Sequence, residues 1–394
     1  MFKRSRGRFS FGWLKLVLLS VLAVALIFLL YGWRLGSLTP GLSPAEASAI
    51  VATTDLALIA NEPVNAPHKL AQYAASLYAQ ERWALRLPSV AFMVTFLGLF
   101  YLTLRLWFGR WVGFLGAIVF ASTPWLIIIA RSATPDILLL MPVAALSSAL
   151  WLSRRTTARG LAWLAFCTTG ALSLYVPGML WFILAVLAFK YRSLNSLSRS
   201  INKLVVATGG LLFLILLAPL AYGIFQTPEI AKELLLVPDP LRDPLATLKS
   251  IGWSALSLFW RLPYTTDFTV GRLPLLTIAQ LAFAAFGVYA LWAKARSVIY
   301  WLAAIVGVSI LAAGLNDRLT LLLPAIMAAS LLVAAGLRYL YVEWNSIFPR
   351  NPIPRSLAVV LMVVVVGLHL AYGLRYALVA WPNAPTTNQV YMLK

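Results

Sequence analysis

The chain has 394 residues, of which 61% are hydrophobic and only 11% charged, and its formal net charge is +20. A soluble domain of this size needs a far more charged surface, so the composition excludes a soluble globular protein. Apolar runs of about 18 to 22 residues, the length that spans a bilayer, recur along the sequence and predict a polytopic α-helical membrane protein. A membrane β-barrel would show short alternating segments instead. The single cysteine, Cys167, permits no intrachain disulfide.

About eleven transmembrane spans are predicted, which form one polytopic, all-α membrane domain over residues 1–394. The first apolar run, 11–33, follows four basic residues at positions 3, 4, 6 and 8. It is too long for the core of a signal peptide and is interpreted as a retained helix whose N-terminus is cytoplasmic. The other predicted spans are 89–108, 111–130, 137–153, 160–176, 179–190, 204–223, 274–293, 298–315, 319–337 and 356–378.

The two kinds of charge separate across these spans. With the N-terminus inside, 18 of the 32 Lys and Arg residues fall in short cytoplasmic segments, as the positive-inside rule expects. Topology and anionic lipid therefore explain the basic excess, and no nucleic-acid partner is needed. Eleven of the twelve acids fall on the outer side, all except Glu343. Chemistry that requires a carboxylate is therefore expected on the extracytoplasmic side.

Two long loops, 35–88 and 224–273, face that same outer side and favour a site between the loops and the membrane surface. A transporter or flippase for lipid or polysaccharide is the alternative. Ion-coupled transporters usually keep ionisable residues near the midplane of their spans. In this sequence no strongly ionisable residue apart from His369 lies deep in a predicted span, which disfavours the transporter.

The first outer loop is predicted to contain two interfacial amphipathic helices. Ser43, Pro44 and Glu46 are typical of a helix start, and this helix is expected to continue to about Ala60. A second helix is expected after Pro67, up to about residue 78. Both are too short or too polar to span the bilayer, so they are expected to lie in its interface.

Glu46 has two interpretations. In one, its carboxylate closes a capping box with Ser43. In the other, it is a general base or a metal ligand at the membrane surface. Asp55 lies nine residues later, half a turn away on a regular helix, so the two acids are not expected to face one site.

The segment Thr134–Pro135–Asp136 is typical of a second helix start, in which an acid of the first turn is favoured by the helix dipole. Arg131 ends the preceding span, where an arginine commonly extends to the interface. His68 is either an interfacial polar residue or a zinc ligand, although no metal-binding spacing motif accompanies it.

The block from the first loop to Asp136 resembles the GT-C superfamily of membrane glycosyltransferases. It is most similar to the branch with protein O-mannosyltransferases and lipid A aminoarabinose transferases, glycosyltransferase family 39. The resemblance rests on the acidic start of the first loop, on "RLPS" at Arg86–Ser89 and on "ASTPWLIIIARSATPD". It covers about residues 40–140, and it is weaker at "NDRLTLLLPAIMAASLLVAAGL", residues 316–337.

This resemblance implies an inverting transferase that moves a sugar from a polyprenyl-phosphate donor to a glycan, lipid or protein acceptor at the outer face of the plasma (inner) membrane. The family's first-loop acid falls on Glu46, the predicted base, and its second acid on Asp136, which would position the acceptor or a metal. The family usually has Asp-Glu at the first position, whereas this chain has Ala45-Glu46. A non-catalytic paralogue that binds polyprenyl phosphate is therefore a further alternative.

Displacement of a lipid phosphate also needs cationic groups for the departing phosphate. Arg131, Arg261, Arg272 and Arg318 fall near the outer ends of spans and are the candidates, and Arg131 could instead orient Asp136. The cofactor is undetermined. A divalent metal (Mg, Mn or Zn) is considered, with His68 and Asp136 as candidate ligands.

Overall fold

A computed structural model describes residue 18 and residues 20–153, 158–188, 201–238 and 243–392. These residues form helices and connecting turns, and the described ranges contain no β-sheet. The first four helices precede the first long span. They are α1 (Ser20–Gly32), α2 (Pro44–Val51), α3 (Leu56–Asn61) and α4 (Ala66–Tyr78).

The remaining helices build the bundle and its second long loop. They are α5 (Arg82–Phe108), α6 (Arg110–Ala121), α7 (Pro124–Ala130), α8 (Pro135–Ser153), α9 (Arg159–Ser173), α10 (Met179–Ala188), α11 (Lys203–Gln226), α12 (Glu229–Leu235), α13 (Pro244–Ser257), α14 (Ile278–Lys294), α15 (Arg296–Asn316), α16 (Leu319–Ile347), α17 (Pro352–Ala380) and α18 (Pro385–Val390).

The predicted number of eleven spans is not confirmed. Within the described residues, six helices are long and apolar enough to cross a bilayer, namely α5, α8, α11, α15, α16 and α17. The pair α6 and α7 makes a seventh if a helix bent by 66° is counted as one span. Each predicted apolar run does contain a helix, but α1, α10 and α14 are shorter, at 10–17 described residues, and α9 has 15.

Helix α16 is the centre of the bundle, because 94% of its most apolar window is buried inside the protein. Small residues allow its neighbours to approach closely. A Cβ atom placed on Gly287 of α14 would lie 1.9 Å from the carbonyl oxygen of Leu332, and one on Gly336 would lie 1.9 Å from that of Phe283. Helices α14 and α16 are therefore in backbone contact, the close packing that small residues permit in membranes.

The first outer loop differs from its prediction in one respect. The helix that starts at Ser43 ends at Val51 rather than near Ala60, and a separate helix, α3, begins after Asp55. The Asp55 carboxylate accepts a hydrogen bond from the backbone N–H of Ala57, so Asp55 is an N-cap. An N-cap cannot lie inside a continuous helix, and the half-turn relation between Glu46 and Asp55 therefore does not apply. The second predicted helix is confirmed as α4.

The start of α8 is a 3₁₀ turn, Pro135–Leu140, rather than a capped α-helix. Thr134 precedes this turn but its side chain caps no backbone N–H. Its hydroxyl instead forms a hydrogen bond of 2.8 Å with the hydroxyl of Ser132. The turn is buried over its whole length except at Pro135, and it holds Asp136 in a fixed place at one end of the bundle.

Candidate active site

Asp136 and Arg318 form an ion pair at the start of two long helices. An Asp136 Oδ1 oxygen accepts a hydrogen bond of 2.6 Å from Nη2 of Arg318, and Nε of Arg318 donates to the Thr320 hydroxyl at 3.1 Å. The Asp136 side chain is 7% exposed, whereas that of Arg318 is 46% exposed. The pair therefore joins a sheltered carboxylate to a cation that reaches the surface.

Both residues line a small cleft of about 230 Å³. Asn65, in the left-handed conformation just before α4, forms part of its wall and is held there because its backbone N–H donates to the carbonyl of Tyr175 at 2.7 Å. The remaining wall is formed mainly by apolar side chains and prolines: Pro135, Leu139, Val176, Pro177 and Leu321. The cleft thus places one anion and one cation side by side in a mostly apolar wall.

Glu46, in the first turn of α2, lies in a different environment and is fully buried. Its carboxylate forms a bidentate pair with Arg86, through Nε at 2.9 Å and Nη2 at 2.8 Å. It also accepts hydrogen bonds from the backbone N–H groups of Ala133 at 2.9 Å and Ser43 at 3.2 Å. The latter completes the predicted capping box, which the structure contains. These four hydrogen bonds occupy both carboxylate oxygens. Glu46 therefore holds Ser43, Arg86 and Ala133 in position.

The Glu46–Arg86 pair joins four separate segments of the chain. Arg86, which is 2% exposed, also donates to the carbonyl of Leu35 at 3.1 Å and to the hydroxyl of Thr39 at 3.1 Å. The loop before α2, helix α2, helix α5 and the turn before Asp136 are therefore fixed to one another. Ala45, the neighbour of Glu46 on α2, is exposed.

Arg131 is buried, with 4% of its surface exposed, and its guanidinium points to α1. It donates to the carbonyl of Leu30 at 3.1 Å and to that of Trp33 at 2.6 Å. These carbonyls belong to the end of α1, where backbone acceptors lack helical partners. Arg131 thus fastens the first helix to the bundle, and no hydrogen bond joins it to Asp136 among the described residues.

His68 lies on α4 and is 1% exposed. Its Nε2 and the Ser89 hydroxyl are 2.8 Å apart, and that hydroxyl donates to the carbonyl of Thr134 at 3.2 Å. Burial lowers the pKa of His68 to about 4, against a smaller raising effect of the Asp136 charge. His68 is therefore neutral at pH 7 and supports the turn that carries Asp136.

The described residues contain no group of three or more His, Cys, Asp or Glu side chains that could hold a metal. The two candidate ligands, His68 and Asp136, fall short of the four ligands that a zinc site takes. His68 also uses Nε2 for Ser89. These two residues therefore do not form a zinc site.

Arg261 and Arg272 lie on the second long loop and are both exposed. The backbone N–H of Leu262 donates to the carbonyl of Arg272 at 3.1 Å. This hydrogen bond brings the backbones of Arg261 and Arg272 close together. Tyr264 of this loop donates through its hydroxyl to the carbonyl of Asp317 at 3.0 Å. The loop is thereby attached next to Arg318.

Sequence reasoning assigned no role to Arg86, which the structure places at the centre of the Glu46 network. The sequence did contain a signal for this pair. Arg86 stands at the start of a span, directly after the loop that contains Glu46, and a buried acid needs a cationic partner. The Ala133 amide could not be found in this way, since a backbone donor leaves no mark in the sequence.

Comparison with known sequences supplies two findings. Residues 66–222 match the family described as dolichyl-phosphate-mannose-protein mannosyltransferase. No curated protein sequence is significantly similar to the chain.

Solved structures are similar over most of the chain. The apo structure of ArnT from Cupriavidus metallidurans has a TM-score of 0.62 at 14% identity, covering 94% of this chain and 77% of ArnT. ArnT bound to undecaprenyl phosphate has a TM-score of 0.61 at 15% identity, covering 95% and 78%.

An oligosaccharyltransferase from Archaeoglobus fulgidus, tethered to an acceptor peptide, has a TM-score of 0.53 at 16% identity. It covers 91% of this chain, which spans about half the length of that enzyme, 55%. With its all-helical bundle and its apolar spans, the chain is a multi-pass membrane protein that has the fold of the GT-C membrane glycosyltransferases.

Proposed function

We propose that the chain is a glycosyltransferase that moves a sugar from a polyprenyl-phosphate-linked donor to an acceptor at the outer face of the plasma membrane. The observation that carries the proposal is the Asp136–Arg318 pair, which presents a carboxylate and a half-exposed cation side by side in one cleft. The match of residues 66–222 and the similarity to ArnT with undecaprenyl phosphate support a lipid-phosphate donor. The tethered peptide of the oligosaccharyltransferase supports an acceptor taken from a peptide or glycan.

In the proposed reaction, Asp136 accepts the proton of an acceptor hydroxyl. Its Oδ1 is bonded to Arg318, while Oδ2 makes no hydrogen bond within the described part of the chain. The acceptor oxygen then attacks the anomeric carbon from the side opposite the phosphate. One C–O bond forms, the bond from that carbon to the phosphate oxygen breaks, and polyprenyl phosphate leaves with the bonding electrons. The configuration at the anomeric carbon is inverted.

Arg318 is the proposed ligand of the departing phosphate. Its side chain is 46% exposed and its Nη1 makes no hydrogen bond to any described residue, so a phosphate oxygen can approach it. Charge-assisted hydrogen bonds of this type are shorter and stronger than neutral ones. Arg261 and Arg272 are the proposed additional cations, because their loop is attached beside Arg318.

Glu46 moves from the predicted base to a positioning residue in this proposal. A general base must reach the proton that it removes, and the Glu46 carboxylate is buried with four hydrogen bonds. Through Ala133 it fixes the turn that ends at Asp136.

One observation favours a second candidate, a protein that binds polyprenyl phosphate without turnover. Ala45 is exposed on α2 at the position where the resembled family usually has an acid, so its side chain brings no carboxylate there. The two candidates differ in turnover but not in donor binding.

The proposal is tested by reconstituting the full chain in vesicles and measuring transfer of labelled sugar from polyprenyl-phosphate donors to hydroxyl-bearing peptide and glycan acceptors. Asp136→Asn is expected to lower the transfer rate about 100-fold or more, the usual contribution of a general base. Arg318→Gln is expected to weaken donor binding as well as turnover. Asp55→Asn, at an exposed cap outside the cleft, is the matched control and should leave the rate unchanged.

Donor binding without turnover in the wild type would favour the second candidate. In that case Ala45→Asp restores the acid of the resembled family and provides a direct check, because turnover gained by this single change would show that the missing carboxylate is the cause. Turnover that is equal in wild type and Asp136→Asn would overturn the role of Asp136.

A further inference from the structure

A second pocket lies at the end of the bundle opposite to Asp136. It has about 530 Å³ of empty volume and is lined by Trp107, Phe108, Leu291, Val298, Leu302 and Leu331. All six side chains are apolar, and they come from the last turn of α5, the last turns of α14, the first turns of α15 and the middle of α16.

The pocket extends from the bundle end towards its centre. Helices α14 and α16 touch where Gly287 meets Leu332, so Leu331 lies near the level of Gly287. Leu291 lies one helical turn, about 6 Å, further towards the bundle end. A site of this depth without a polar side chain suits a hydrocarbon chain, because a polar ligand would lose its hydrogen bonds to water there.

Four basic residues lie within three positions in sequence of the residues that line this pocket. Arg105 and Arg110 flank Trp107 and Phe108, Lys294 follows Leu291, and Arg296 precedes Val298, and all four basic residues are exposed. The Arg296 guanidinium lies 5.6 Å from the ring of Trp292, and the Tyr300 ring is 6.4 Å from that of Trp292. Exposed aromatic and basic residues together are typical of the membrane interface, where lipid phosphates lie.

We propose that this pocket is a binding site for an anionic phospholipid, with one acyl chain among Trp107, Leu291 and Leu302 and the phosphate against Lys294 and Arg296. In the proposed function the donor phosphate lies at Arg318, and Leu331 lies 13 residues further along α16, about 20 Å away. The donor would therefore leave Lys294 and Arg296 without a phosphate, which an anionic phospholipid supplies. This choice between the two occupants rests on the proposed function, whereas the pocket and its basic neighbours do not.

The test uses the full chain in phosphatidylcholine vesicles that contain a trace of a phospholipid with a photoreactive diazirine on its acyl chain. The probe is either phosphatidylglycerol or phosphatidylcholine, and the labelled peptides are located by mass spectrometry. Each nearby Lys or Arg contributes about 1 kcal/mol towards an anionic lipid, which corresponds to about a fivefold preference. The phosphatidylglycerol probe is therefore expected to label the pocket residues at least about fivefold more than the phosphatidylcholine probe.

Two variants locate the lipid. Leu302→Trp fills the pocket and should abolish the labelling, whereas Leu361→Trp, on the exposed face of α17, should not. The double change Lys294→Gln and Arg296→Gln should remove the preference for phosphatidylglycerol, with Lys249→Gln on α13 as the control. The two basic residues are exposed, so this arm remains valid even if Leu302→Trp does not fold.

Equal labelling by both head groups would overturn the proposal in favour of ordinary lipid contact. Labelling that persists in a folded Leu302→Trp protein would overturn it as well. If a photoreactive polyprenyl phosphate labels the pocket and displaces phosphatidylglycerol from it, the occupant is the donor chain and the phospholipid assignment is wrong.

Discussion

Glu46 and Asp136 both lie in the first turn of a helix that begins with proline, yet their surroundings give them different chemistry. Glu46 is paired with a buried arginine and two backbone N–H groups, and its exposed fraction is zero. Asp136 is paired with an arginine that is almost half exposed and lines a cleft. A paired, buried carboxylate supports structure, whereas one beside an open cleft can meet a substrate.

Removal of the Glu46 charge is expected to destabilise the fold. Glu46→Gln leaves the buried Arg86 cation uncompensated, which should cost about 3 kcal/mol of unfolding free energy. The midpoint of thermal unfolding in detergent measures this loss, with the exposed Asp55→Asn as the control. Adding Arg86→Gln to Glu46→Gln should recover part of the loss because no unpaired charge then remains. An inactive Glu46→Gln protein of full thermal stability would instead support the base role.

His68 is expected to make stability fall in acid. Burial lowers its pKa to about 4 from an ordinary value of 6.5, so the unfolded chain binds the proton first as the pH falls. The stability that neutral His68 contributes is complete above pH 6.5 and is lost progressively down to pH 4, by about 3 kcal/mol in total.

The measurement compares the unfolding midpoints of wild type and His68→Gln between pH 7 and pH 4. Because every other titrating group is shared, the difference between the two curves reports His68 alone. The wild type should lose more stability than the variant across this window. Parallel curves would mean that His68 titrates normally in the folded chain.

At the scale of helices, the breaks between helices and the close contacts of their backbones position the site more than helix propensity does. The bend between α6 and α7 occurs at Ser122 and Thr123, just before Pro124, which cannot donate a backbone hydrogen bond to the preceding turn. Gln280 of α14 donates to the Thr123 hydroxyl at 2.8 Å and holds the break against the bundle. The chain after the bend then carries the turn to Asp136.

The contact between α14 and α16 is expected to depend on Gly287. A methyl group there would meet the Leu332 carbonyl oxygen at 1.9 Å, so Gly287→Ala must separate the two helices. Overpacking of this type costs about 1–3 kcal/mol or more. Gly307→Ala on α15 and Gly367→Ala on α17 are matched controls, since a methyl group at either position would meet nothing within 4 Å. A thermal midpoint that falls in Gly287→Ala no more than in these controls would contradict the close contact.

At the scale of the whole molecule, the candidate active site and a cluster of basic residues lie at opposite ends of the bundle. The Asp136–Arg318 cleft and helices α2 to α4 of the first loop lie at one end, and Arg105, Arg110, Lys294 and Arg296 lie at the other. From the positive-inside rule we expect the basic end to be the cytoplasmic one.

This orientation predicts the accessibility of single cysteines to a membrane-impermeant thiol reagent. In a Cys167→Ser background, Glu62→Cys in the first loop should react in intact cells, because the Glu62 side chain is 73% exposed and lies at the end of the bundle that we expect to face outwards. Ser297→Cys, exposed at the basic end, should react only after the membrane is opened. The reverse pattern would place the cleft in the cytoplasm and overturn the proposed side of the reaction.

The sequence by itself determined the membrane class and the all-helical architecture, and it offered the capping box of Ser43 and Glu46 as one of two interpretations. These follow from local composition, apolar run length and residue spacing, which act within a few turns of chain. Its resemblance to the GT-C superfamily also agreed with the fold. The predicted number of eleven spans is not confirmed, because apolar runs such as that of α14 form helices of only 17 residues.

Only the tertiary structure decided which acid is buried and which faces a cleft. Glu46 meets Arg86 across 40 residues and the Ala133 amide across 87, and Asp136 meets Arg318 across 182. Arg131, a sequence candidate for phosphate binding, instead holds the carbonyls at the end of α1. Contacts over such separations depend on how the helices pack. The spacing of residues along one helix does not indicate which distant residue a buried charge will contact.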